Sequence, residues 1–350
     1  GRLSADGGTT INLNTSSAPA FYQLNSASTV NINVAGTVPQ AVYGNLNLGT
    51  GNKTLPISST SVVGNLQISD QVTLNGSTAP DRSTLIVAGN ITFQGNSGAP
   101  PAENQRYSLV LDGVGSHTIS VNGTNIALAG LDAEGTINLN FNDSNPHSIT
   151  VGIPGGSGGL LLRSGSTLNL NQHDLVVNGA SGLNTTGDTG EISISGGNIT
   201  VNTTSLQTSS LYFGAVNHTI NNLSFTNSGT GQVNLASQTE LTNLMTVGAG
   251  TTVNMQGDFV LRSTSDAGNG TARIGPLLNG AKITGNITAE RYMSGEGRIW
   301  RYISSPVAGV TVADLQAFFP ITGNFEGTST GEGLLTNASM FSYSEPSNPQ

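Results

Sequence analysis

The chain has 350 residues, no cysteine, 9% charged and 5% aromatic residues, and a net charge of −9. The missing cysteines exclude a disulfide framework and any thiolate metal site. The few basic residues form no run, so a phosphate backbone has nothing to bind and no nucleic-acid partner is expected.

Along the chain, short segments alternate apolar residues with Asn, Thr, Ser or Gln, at 29–36, 44–51, 62–69, 84–95, 108–113, 117–123, 136–143, 166–179, 191–204 and 251–263. This period of two is that of a strand with one face buried. Gly or Asn closes nearly every segment, as turns with positive φ require. No apolar run approaches the roughly 20 residues of a membrane span, so none is expected.

The segments repeat one another. A turn, a small polar pair and a strand recur in GNKTLPIS, GSHTISVNG, NPHSITVG and VNHTINNLS, which puts His117, His147 and His218 in one motif position. A second element, Gly-Asn-Leu-x-Leu/Ile, occurs at 44–48 and 64–68. Such self-similarity predicts an all-β chain folded as a parallel β-helix, a β-solenoid of roughly 20–25 residues per coil. Its inward positions need aliphatic ladders, and its Asn side chains are suited to stacking along the axis, amide to amide. The stretches 95–108 and 144–159 are expected to leave a corner as loops.

The chemistry changes at ITAERYMSGEGRIWRYISSPV, 287–307, where Tyr292, Arg298, Trp300, Arg301 and Tyr302 come close together. Residues 1–287 are therefore expected to form the solenoid stalk, and 288–350 a short aromatic-rich cap or the start of a following β-module. Two roles fit the aromatic cluster. It seals the open end of the last coil, with Arg side chains stacked on its rings or paired with Glu290 and Glu296, or it is a platform on which sugars stack. One short helix is expected near 311–319, capped by Thr311 or Asp314 and stopped by Pro320.

Two stretches, 43–69 and 270–309, the second with its succession ARIG, ITGN, AERY and WRYISSPV, resemble large cell-surface proteins of Bacteroidetes. These are adhesin-like proteins, gliding-type adhesins among them, exported by the type IX secretion system. The resemblance implies a secreted β-helical stalk at the surface of a Gram-negative bacterium, with the type IX secretion machinery and an extracellular polysaccharide or surface as partners. It brings no catalytic residues.

Enzymatic chemistry finds little support in the residues. Glycoside hydrolysis needs two carboxylates across one groove, and the nearest pairing, Asp132 with Glu134, sits beside Gly and Ala that suggest a turn. A lyase base is hard to supply from two lysines, Lys53 and Lys282. The histidines, His173 included, are spaced like turn-flanking caps and lack the convergent ligands zinc requires. The expectation is a structural or adhesive segment without catalytic, metal or cofactor site, with carbohydrate binding or cleavage as the alternative.

Overall fold

The computed structural model describes residues 2–5, 8–14, 21–70, 72–77, 83–94, 106–122, 125–141, 143–153, 159–178, 188–202, 209–226, 231–265, 270–292, 309, 311–316 and 321. The chain divides into two compact units, Gly1–Ser294 and Gly295–Gln350.

The first unit is a parallel β-solenoid with a three-sided coil. One coil illustrates the path: Asn45–Leu48 lies on the first face, Lys53–Thr54 on the second, Ser59–Val62 on the third, and Leu66–Ile68 returns to the first directly against Asn45–Leu48. Inward residues of the first face stack in register as Ile11, Val30, Leu46, Leu66, Ile91, Ile119 and Leu139. Successive coils take up 16 residues at the shortest, from Val30 to Leu46, and 31 at the longest, from Ile137 to Leu168. Variation in coil length is absorbed at the corners, because the ladder fixes only the strands.

Burial follows the alternation. In Thr29–Ile32, Asn45–Leu48, Thr84–Val87 and Ser108–Leu111 every second residue is buried and its neighbour half-buried. The buried set forms one continuous apolar core from Val30 to Ala272. Each fully buried aliphatic contributes on the order of 1.5–3 kcal/mol relative to exposure, so the core stabilises the coil stack without disulfides.

The recurrent Gly-Asn element marks a corner. An added Cβ at Gly64 would lie 2.7 Å from the Gly44 carbonyl oxygen, and one at Gly89 2.6 Å from the Gly64 carbonyl carbon. Coils pass so closely there that only glycine fits. The Asn that follows holds the stack: Asn45 Oδ1 accepts the Asn65 N–H, Asn65 Oδ1 the Asn90 N–H and Asn90 Oδ1 the Thr118 N–H, at 2.9, 2.9 and 2.8 Å. Outward amides form a second ladder, Asn47 donating to Asn31 and Asn31 to Asn12, each at 2.7 Å.

Every predicted strand segment contains a strand, but three of them are pairs. Residues 84–95, 166–179 and 191–204 each turn a corner, giving Thr84–Val87 with Ile91–Phe93, Thr167–Asn171 with Asp174–Asn178, and Glu191–Ser195 with Ile199–Asn202. Toward the C-terminal end, single long strands such as Phe213–Phe225 and Thr239–Val247 run round the corner unbroken.

The loop expected at 144–159 is corrected in part. Ser148–Val151 is a strand of the second face, paired with Ile126–Leu128 and Asp174–Asn178, because Ile149 and Val151 reach the core. Residues 95–105 and 154–158 lie outside the described residues. The last ladder strand is Lys282–Ala289, seated on Thr251–Leu261. In the second unit the described helix is Val312–Gln316. Its cap is Thr311: the Asp314 N–H donates to Thr311 Oγ1 at 3.3 Å, and Thr311 N–H donates back to Asp314 Oδ2 at 2.8 Å, a reciprocal capping pair. Residues 317–320 lie outside the described residues.

Candidate functional surfaces

Tyr292 alone of the five aromatic and arginine candidates lies among the described residues; Arg298, Trp300, Arg301 and Tyr302 lie outside them. Its side chain is 40% exposed, and its backbone N–H donates to Ser263 Oγ at 2.9 Å. The charges beside it come from elsewhere than the sequence pattern suggests. Arg262 donates to Glu290 Oε1 at 2.6 Å and, through two nitrogens, to the Glu240 carboxylate, which also lies 3.4 Å from His218 Nε2. His218, Glu240, Arg262 and Glu290 thus join four successive coils by side-chain contacts. The Arg262 guanidinium holds the Glu240 carboxyl below the usual carboxylate range, and Glu240 in turn raises Arg262. Arg262 therefore engages both carboxylates.

Asp132 stands on a strand where a turn was expected, while Glu134 lies past the strand's end, beside the corner at Gly135 with φ 73°. Asp132 belongs to Gly130–Ala133, which pairs with Ser108–Leu111 because Leu131 and Ala133 are buried. Its carboxylate accepts two hydrogen bonds from Arg163, at 2.8 and 2.6 Å. That bidentate grip, 31 residues along the chain, ties one coil to the next.

The histidines do several jobs. His117 is buried between two corners, its ring nitrogens 3.1 Å from the carbonyl oxygens of Gly89 and Gly113. His147 lies 2.6 Å from Asp143 Oδ1 and stacks on Phe141 with ring centroids 4.6 Å apart. His173 packs against the same Phe141 at 4.3 Å, and its Nδ1 accepts the His147 backbone N–H at 3.2 Å. Burial, aided by the His147 charge, pushes the His173 imidazole below its ordinary range. The Phe141 cluster was not legible, since His173 joins Phe141 and His147 only through the stacking of coils.

Lys53 is buried. Its ammonium donates to the carbonyl oxygens of Thr50 and Gly51, so it closes its own turn, and burial lowers its pKa. Among the described residues no three His, Asp or Glu side chains converge as a metal-ligating set, and no helix is long and apolar enough to cross a membrane.

Fold and surfaces together define a parallel β-solenoid protein. Comparison with protein-family models, with curated proteins and with solved structures gives no match.

Proposed function

We propose that the chain is a structural or adhesive segment of a large secreted bacterial cell-surface protein, with the solenoid as a stiff stalk. The observation that carries this reading is the unbroken ladder on the first face. It runs from Thr10–Leu13 to Lys282–Ala289 through parallel pairings alone. Every coil is held to the next by backbone hydrogen bonds and by an apolar core, an arrangement that resists bending and tolerates change in coil number. Of the two carboxylates weighed for hydrolysis, Asp132 is held by Arg163 of the next coil. Placement in an adhesin-like protein exported by the type IX system rests on the resemblance of 43–69 and 270–309.

The test uses this modularity. Removing residues 45–64 joins Gly44 to Asn65, which occupies the same corner position as Asn45 one coil later. A stalk is expected to fold with that coil missing and to shorten by one strand spacing, about 4.8 Å. Release of new chain ends when the intact chain is incubated with extracellular polysaccharides would overturn the reading.

A further inference from the structure

The outer surface of the first face is hollowed where two register shifts follow one another. Between Thr167–Asn171 and Glu191–Ser195 the register shifts at Asn169/Asn171, and between Glu191–Ser195 and Phe213–Phe225 it shifts again at Ile192/Ile194. Bulges of this kind re-aim side chains at sheet margins and often border binding sites. Here they flank a groove of about 490 Å³, within the range of roughly 300–1,000 Å³ for small-molecule sites.

Its rim is made of Asn140, Asn171, Gln172, Ser193, Ser195 and Asn217. Asn171, at the end of its strand, and Asn217, within Phe213–Phe225, hold left-handed backbone, φ 53° and 58°, which Asn accepts at little cost. None of the lining side chains is a carboxylate, ammonium or guanidinium. Amides and hydroxyls that both donate and accept surround the opening. Asn171 and Gln172 use their NH₂ groups on the Leu139 and Ser144 carbonyls, and their own side-chain oxygens accept no hydrogen bond among the described residues.

The floor is rigid. His173 is 5% exposed and wedged on Phe141, which His147 backs from its other contact. Because His173 Nδ1 accepts the His147 N–H, the neutral ring carries its proton on Nε2. That Nε2–H has no partner among the described residues, although its ring lines the groove. A donor that opens on the groove without a protein partner, beside amide oxygens that accept nothing among the described residues, suits a ligand rich in neutral oxygens.

We propose that this groove binds a neutral sugar unit of a polysaccharide, with His173 Nε2 and the side-chain oxygens of Asn171 and Gln172 meeting its hydroxyls. The rim spans four coils, about 14 Å along the axis at one strand spacing per coil, a length that fits two to three sugar rings. The absence of a cation in the lining, in a chain of net charge −9, selects against acidic sugars. This goes beyond the stalk reading, which stands whether or not the groove binds.

The experiment titrates the full chain with neutral cello-, xylo-, laminari- and malto-oligosaccharides and with acidic oligogalacturonate. Calorimetry reads affinity, and the ¹⁵N signals of the histidine rings report the site. At least one neutral oligomer is expected to bind and shift the His173 resonance. Gln172→Ala is expected to weaken binding about tenfold, the equivalent of 1.4 kcal/mol, and Ser195→Trp to abolish it. Both positions are exposed, so an unchanged urea midpoint verifies the fold. Three results overturn the proposal: no neutral oligomer binds, binding is the same in both variants, or only the acidic oligomer binds.

Discussion

Gly89 offers the sharpest perturbation of the coil stack. A methyl group there meets backbone, the Gly64 carbonyl, with the carbonyl carbon at 2.6 Å where ordinary contact begins at 3.4 Å. No side-chain rotation relieves that contact, so the two coils must part by roughly 0.8 Å. Three hydrogen bonds cross the same corner: Leu66 N–H to Asn90 O at 2.9 Å, Ala88 N–H to Val62 O at 3.0 Å and Asn90 N–H to Asn65 Oδ1 at 2.9 Å. Parting by that amount carries all three past about 3.5 Å, beyond useful hydrogen bonding. At ~0.5–1.5 kcal/mol each, Gly89→Ala is expected to destabilise the solenoid by ~2–4 kcal/mol. Gly115→Ala is the control, because a Cβ there meets nothing within 4 Å, and it should stay within about 0.5 kcal/mol of the parent. Urea unfolding followed by circular dichroism compares the two, and hydrogen exchange locates the loss to the coils around Gly64 and Gly89. Equal midpoints for the two variants would refute the reasoning.

Three further outcomes are expected. Asn47→Ala removes the donor to Asn31 and interrupts the outward amide ladder; a loss of about 0.5–1.5 kcal/mol is expected, and none would show that water replaces the ladder without penalty. His173 takes up its proton less readily when folded than when unfolded, so the unfolded chain gains protons first and stability falls as pH drops below about 6.5 toward the lower folded value. Asp143 and Asp174 act in the opposite sense on that ring. Denaturation between pH 7.5 and 5.5 should show this slope, His173→Phe should flatten it, and an unaltered slope in the variant would contradict the assignment. Arg262→Met cuts the ties to Glu240 and Glu290. Because the Arg262 side chain is 37% exposed, the loss should be only ~0.2–1 kcal/mol, and it should shrink in 1 M salt; a loss that salt leaves unchanged would point to packing in place of charge.

The fold was legible because solenoid coils are local in sequence. The alternation in Thr29–Ile32 or Ser108–Leu111 is read directly as burial, and the Gly-Asn pairs at 44–45 and 64–65 announced corners. Shorter elements were missed where only two residues face inward. In Gly130–Ala133 the sequence Gly-Leu-Asp-Ala reads as a turn, and only its seat on Ser108–Leu111 makes it a strand. The Arg262 and Arg163 ties, and the packing of His173 on Phe141, join residues 22 to 32 positions apart. Their meeting depends on how many residues each corner absorbs, a quantity that composition and periodicity leave open. The groove depends likewise on which strands the coils bring side by side, which no local pattern announces.

Parallel stacking in fixed register is the claim on which the rest depends, and the chain has no native cysteine to interfere with labelling. Spin labels placed on one outward row, with Asn12 paired in turn to Gln67, Thr92, Ser120 and Asn140, test it by electron–electron distance measurement. These partners lie three, four, five and six coils from Asn12 along the register. Mean separations are expected to rise evenly by about 4.8 Å per coil, from roughly 14 to roughly 29 Å, whatever the number of residues between them. Separations that fail to rise in order, or that follow the intervening chain length, would contradict the coil stack.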